Sequence, residues 1–253
     1  MLLPHVLDRT IEIRATPDTV FGYFTDSARW ASWWGAGSSI DPRPGGPLVI
    51  RYPDGTEVLG EVLDINPPRR IVFTYGYASG KMIPPGGSQV TIDLEATADG
   101  TRLTLTHELA DAAVRDQHVQ GWRYQLSVFA NVVLDTMHAG APDLVDRWFQ
   151  AWAETDADVR RTNLAMFVTG DVRFRDRFSA TDGLDDLVAH ITATQRFMPG
   201  THPVRAGDVR HCQGFVLADW TVGSFSGTNH FTLDARGRIG AVVGFWNSGR
   251  SGG

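Results

Sequence analysis

From Leu7 to about Leu109, apolar and polar residues alternate in short runs separated by the turn signals RPGGP, PDG, NPPRR, PPGG and ADG. A period of two belongs to strands with one dry and one wet face, so this region predicts an antiparallel sheet. Between Thr101 and Leu109, Leu103, Leu105, His107 and Leu109 share one face, and Arg102, Thr104, Thr106 and Glu108 the other. At Asp111 the period changes. Val114, His118, Trp122, Leu126, Phe129, Val133 and Met137 recur at steps of three and four, with no proline among them, which predicts a long amphipathic helix to about Met137. His138-Ala-Gly-Ala-Pro142 then reads as a short linker, dividing a first domain, 1–138, from a second, 139–248, with 249–253 as a flexible tail.

The second half has another order. Leu144, Val145, Trp148, Phe149 and Trp152 form one helical face, and a shorter helix follows over Val159–Met166. A strand at Val172–Phe178 precedes a helix from about Leu184 to Gln195. Four strand-like runs close the chain, near Val204–His211, Phe215–Val222, Ser224–Asp234 and Arg238–Trp246. The class is α+β with two domains. The second is expected as a curved antiparallel sheet covered by N-terminal helices.

Composition narrows the partners. A formal charge of -6 leaves no broad basic face for a polyanion, so nucleic acid is excluded as a partner. The chain lacks an apolar run approaching a bilayer span and a basic leader followed by an apolar segment, which points to a cytoplasmic protein with no membrane partner. The single cysteine, Cys212, rules out an internal disulfide and a multi-thiolate metal site; it reads as a small buried hydrophobe, with a ligand or nucleophile beside His211 as the alternative. With no HxxxH or HExxH spacing, neither a metal nor a cofactor is expected.

Two stretches carry a resemblance. ATPDTVFGYFTDSARWASWWG, followed by GEVLDINPPRRIVFTYGY, TRLTLTHE and GWRYQLSVFANVVLD, resembles an SRPBCC-superfamily (START-like) domain of the Aha type over residues 5–137. This implies a helix-grip fold, a curved sheet and long C-terminal helix around a cavity. Residues 142–247, with DLVDRWFQAW, VRFRDRFS, DGLDDLVAHI, GTNHFTLDARGRI and GFWNS, resemble SnoaL-like and ketosteroid-isomerase-like proteins of the nuclear transport factor two superfamily. This implies a cone-shaped pocket and a homodimer through the second sheet.

Chemistry is sought where polarity breaks the pattern. Asp176 lies between Phe174 and Phe178 on one strand face, with Arg173, Arg175 and Arg177 turned outward. Desolvation there would favour its protonated form and make it a stronger base. The alternative is a sheet-edge aspartate that pairs with an arginine or caps a turn. Asn229 shares a face with Phe231 and Leu233, where an amide can donate to a carbonyl or enolate oxygen, or be a core amide satisfied by backbone. By resemblance, Asp176 occupies the position of the proton-shuttling aspartate, and Asn229 that of the protonated aspartic acid in the isomerase oxyanion hole, a standard worked case of pKa tuning. The phenol donor of that enzyme is missing, since all five tyrosines lie in the first half. Trp148, Trp220, His190 and Trp246 are either substitute donors or core and pocket lining, and Asp219, sharing a strand face with Phe215 and Leu217, is either a second acid or base or a residue at the exposed sheet end. Phe149, Trp152 and Phe178 complete the pocket. In the first domain, Trp33, Trp34, Tyr75, Tyr77, His107 and Trp122 either line a hydrophobic cavity or fill the core.

The expected ligand is a small hydrophobic carbonyl compound, polyketide- or terpenoid-like, undergoing cofactor-free acid–base cyclisation or isomerisation. Two alternatives are non-catalytic ligand sequestration and a chaperone-activator role.

Overall fold

The computed structural model describes residues 2–247 and resolves the fold into two compact units that divide between Leu134 and Asp135. The expected flexible tail, 249–253, and Ser248 of GFWNS lie outside the described residues. The α+β class holds in both units.

The first unit runs β1 (His5–Ile13), α1 (Pro17–Phe21), a 3-10 turn (Gly22–Phe24), α2 (Ser27–Trp34), β2 (Ser39–Ile40), β3 (Pro47–Arg51), β4 (Glu57–Asn66), β5 (Arg70–Tyr77), β6 (Ser88–Thr97), β7 (Gly100–Leu109) and α3 (Ala112–Met137). Its seven strands form an antiparallel sheet in the order β1-β7-β6-β5-β4-β3-β2. Local chemistry starts the helices. Thr16 caps α1 ahead of Pro17, and Asp26 accepts the Arg29 N–H at 2.8 Å to cap α2. Asp111 accepts the Val114 N–H at 3.0 Å at the head of α3. The apolar stripe of α3 reaches the sheet through Trp122, Leu126, Phe129 and Val133, all buried. Phe24 stacks on Phe129 with ring centroids 5.1 Å apart, and Trp30 meets Phe73 edge-on at 5.9 Å.

The second unit takes up the end of α3, then α4 (Ala141–Ala153), α5 (Ala157–Ala165), β8 (Val168–Arg175), β9 (Ala180–Asp182), α6 (Leu184–Phe197), β10 (Val204–Cys212), β11 (Phe215–Val222), β12 (Phe225–Leu233) and β13 (Ile239–Trp246). The expectation of an all-antiparallel second sheet is corrected. The six strands are ordered β10-β11-β12-β13-β8-β9, and β13 runs parallel to β8, with Val242 opposite Phe174 and Val243 opposite Arg175. Hairpins alternate strand direction, but β8 and β13 are joined only through a long crossover, whose hand leaves no local trace in the sequence. The strand expected over Val172–Phe178 starts and ends earlier, and a short β9 follows it. Cys212, expected buried, is exposed at the end of edge strand β10.

Burial follows the pattern. On β11, Val216, Ala218 and Trp220 point into the core, and on β12 Phe231 and Leu233 do so, beneath Trp148 of α4. Arg160 on α5 is fully buried. It donates to the Glu154 carbonyl at 2.5 and 3.1 Å, to Thr192 Oγ1 at 2.8 Å and to Gln195 Oε1 at 2.6 Å, tying α5 to α6.

Candidate functional site

Between the helices and the concave face of the second sheet lies a cavity of about 730 Å3, within the range that takes a small organic molecule. Trp148 and Trp152, one helical turn apart on α4, form one wall, and Phe174, Trp220 and Trp246 form the sheet side. Phe178, Phe197 and Phe225 line the mouth and remain 71%, 86% and 58% exposed.

The two polar exceptions in the sequence pattern both line this cavity. Pairing places Asn229 directly opposite Gly244, while Val243 opposite Arg175 brings Asp176 alongside Gly244 from the other side. A Cβ atom at Gly244 would lie 3.2 Å from Asn229 Oδ1 and 3.2 Å from Asp176 Cβ. The absent side chain at Gly244 thus leaves the amide and the carboxylate as neighbours. Asn229 is 6% exposed, and no hydrogen bond joins its amide to another described residue.

Asp176 stands just past the end of β8, in a turn rather than on the strand. Its N–H donates to the Ser179 carbonyl at 3.0 Å, its Oδ1 accepts the Phe178 N–H at 2.8 Å, and its Oδ2 accepts the Trp246 indole N–H at 3.3 Å. The expected neat alternation therefore fails beyond Arg175. Phe178 swings to the mouth, and Arg175, expected outward, folds back to donate to the Phe174 and Thr181 carbonyls and to Asp182.

His190, on the cavity face of α6, brings Nε2 to 3.1 Å from Ser179 Oγ, with Phe174 and Trp152 rings 5.8 and 5.9 Å away. Burial holds its imidazole below the usual histidine range, against the opposing pull of Asp176 and Asp186, so the ring is neutral at neutral pH.

The substitute donors are less available than the sequence suggests. The Trp148 and Trp220 indole nitrogens, like that of Trp152, are sealed from solvent without an acceptor among the described residues, and the Trp246 N–H is already given to Asp176. An indole turns its large face to a cavity more easily than its single N–H. Asp219 is removed from the site. Val216, Ala218 and Trp220 take the inward positions of β11, so Asp219 faces outward, accepting from Thr228 Oγ1 at 2.6 Å with Arg210 3.8 Å away. Phe149 is buried in the core, off the cavity lining. Sequence reasoning missed Gly244 and Ser179. The glycine in GFWNS was visible, but its cross-strand neighbours were not.

In the first unit the six expected residues do meet, as an interlocked cluster. Tyr75 lies 5.2 Å from His107 and 6.2 Å from Trp122, Tyr77 is 5.9 Å from Tyr75, and Trp34 packs 4.2 Å from Trp33 and 5.8 Å from Trp122. The Trp122 indole N–H donates to His107 Nδ1 at 2.9 Å, which fixes the neutral tautomer with Nε2–H donating to Ser88 Oγ at 2.8 Å. Ser88 Oγ in turn donates to the Tyr75 carbonyl at 2.8 Å. Burial and the nearby His118 press the His107 pKa down to about 3. Burial pushes Tyr52, hydrogen-bonded to Tyr75, up to about 12. Among the described residues, no group of three His, Cys, Asp or Glu could hold a metal ion, and no helix is long and apolar enough to cross a membrane.

Residues 14–133 match the family model "Activator of Hsp90 ATPase homolog 1-like protein". The first unit carries an AHSA1/SRPBCC domain. No family model assigns the second unit, an α+β domain with a mixed sheet, and no curated protein matches the chain. Solved structures are similar to about half of the chain. A candidate isomerase of the SnoaL-like family from Agrobacterium tumefaciens is 26% identical, with a TM-score of 0.41, covering 45% of this chain and 99% of that one. The Aha1 dimer from Colwellia psychrerythraea is 19% identical, with a TM-score of 0.43, covering 48% and 90%. A Mesorhizobium loti protein is 19% identical, with a TM-score of 0.47, covering 52% and 98%.

Proposed function

We propose that the second unit is a SnoaL-like domain that takes a small, largely apolar carbonyl compound into its cavity and performs cofactor-free acid–base chemistry on it. The supporting observation is the adjacency of Asp176 and Asn229 across Gly244 in one aromatic-walled cavity. Asp176 removes a proton from the carbon next to the carbonyl and returns it at the same or another carbon. Asn229 donates to the oxygen as it gains charge. The walls exclude water and hold the ligand against the carboxylate. Such a protein works in the cytoplasm and pairs through the outer face of its second sheet, where Phe245 is 58% exposed.

The test uses 2-tetralone, an apolar ketone with acidic α-protons, whose exchange in D2O is followed by proton NMR. Wild-type protein accelerates exchange, and Asp176→Asn lowers that rate by about 10²–10⁴-fold, the usual contribution of a positioned base. An unchanged rate in the variant overturns the assignment.

A ligand-sequestering role is favoured by the two hydrogen bonds that already occupy Asp176. It predicts saturable binding and stabilisation by 2-tetralone with no exchange. The family match of residues 14–133 also supports a chaperone-activator reading, which stoichiometric capture of a chaperone ATPase by the full chain would establish.

A further inference from the structure

The turn that presents Asp176 closes the β8–β9 hairpin just past the Arg175–Ala180 pair; its Phe178 side chain is mostly exposed, and the Trp246 indole N–H meets the carboxylate at 3.3 Å. The Phe178 N–H and Ser179 carbonyl contacts lie within the turn itself, so they shape it without fixing its place in the cavity. The side-chain tie from this turn to α6 is Ser179 Oγ to His190 Nε2, at 3.1 Å. His190 is a firm anchor: its ring sits between Phe174 and Trp152, and its carbonyl accepts from Thr194 Oγ1 at 3.0 Å.

We propose that Ser179 and His190 are the positioning pair of Asp176: their hydrogen bond fastens the carboxylate-bearing turn to α6, and the charge on the imidazole decides whether the carboxylate stays free for a ligand. This rests on the reading of the cavity as an acid–base site. The neutral ring accepts the serine O–H or donates to its oxygen, and in either form the turn is held with no positive charge from the ring acting on Asp176. A protonated ring puts a positive charge beside Asp176, and the resulting attraction draws the carboxylate toward α6 and weakens it as a base. The charged groups that act on His190 are Asp176 from the turn and Asp186 from the preceding turn of α6. Its neighbours from α4 and β8, Trp152 and Phe174, are aromatic. Asp186 Oδ2 already accepts the Asp182 N–H at 2.9 Å, which leaves Asp176 as the charge on the turn side of the ring.

The experiment uses isotope-labelled full-length protein and needs no substrate. An NMR titration follows the His190 ring, and Asp176→Asn lowers its midpoint by about half a pH unit or more. Ser179→Ala speeds amide hydrogen exchange at Asp176 and Phe178 at least tenfold, and Ser179→Thr, which keeps the hydroxyl, restores protection. In the 2-tetralone assay Ser179→Ala lowers kcat with KM little changed, and the acid limb of the rate profile moves in His190→Gln. A His190 midpoint that ignores Asp176→Asn, or unchanged amide exchange in Ser179→Ala, overturns the proposal. Absence of exchange by the wild-type protein defeats the acid–base reading alone, because the titration and amide exchange still decide the pair.

Discussion

Gly244 shows how much one missing side chain decides. In Gly244→Ala the new methyl group presses on both Asn229 and Asp176 at 3.2 Å, so the pair must spread by a few tenths of an ångström. We expect 2-tetralone exchange to fall about tenfold or more with the fold intact, since displacement of a reacting group by fractions of an ångström is costly. Circular dichroism and the exchange assay check this together. Asn229→Leu keeps the shape and removes the donor, and should lower kcat by about 10²-fold. His107 gives a prediction of another kind. Its depressed pKa means that the folded first unit refuses a proton that the unfolded chain accepts below about pH 6.5. Stability is therefore complete above that pH and drains away as pH falls toward 3. The loss is at most about 5 kcal/mol, at roughly 1.4 kcal/mol per unit. Protonating Nδ1 also sets N–H against the Trp122 N–H. Denaturant unfolding of the first unit should steepen with acid over this window, and His107→Gln should flatten the slope; parallel slopes would refute the assignment.

At the scale of elements, the helices were the most legible. The stripe Val114 to Met137 became α3, and the Trp148–Trp152 spacing became the cavity wall, because a helical face needs only nearby residues. Strand ends were read less well. Alternation was carried through Phe178, whereas β8 stops at Arg175, where the chain turns to build β9 and the Asp176 N–H finds the Ser179 carbonyl. That stop is set by hydrogen bonds to residues whose pairing no local period encodes. On β11 the same ambiguity put Asp219 on the wrong face, since both of its faces carry apolar residues and a one-residue phase choice inverts them. Arg160 carries the junction of α5 with α6. Its guanidinium satisfies several buried acceptors at once, so Arg160→Ala should destabilise the second unit by about 3–5 kcal/mol, and Arg160→Lys should recover only part, because an ammonium lacks the planar fork. Chemical denaturation of the second unit measures both.

Over the whole molecule, two units with separate sheets carry two kinds of buried polarity. In the first, the His107–Ser88–Tyr75 chain is closed on itself, so its members are spent on cohesion. In the second, the Asn229 amide makes no hydrogen bond to another described residue and faces a cavity. The proposed pairing of copies through the second sheet predicts a dimer by sedimentation velocity at micromolar protein, returned to monomer by Phe245→Asp; a wild-type monomer throughout the range would refute it. The sequence by itself determined the α+β class, the order of the strand-led first half and helix-led second half, the α3 and α4 stripes, and the two polar exceptions at Asp176 and Asn229, because each of these is written in residues close along the chain. Only the tertiary structure decided that β13 runs beside β8, and with it that Gly244 brings the carboxylate and the amide together while Asp219 turns away. Those outcomes depend on pairing between strands far apart in sequence, and their energies come from contacts that exist only once the sheet has closed.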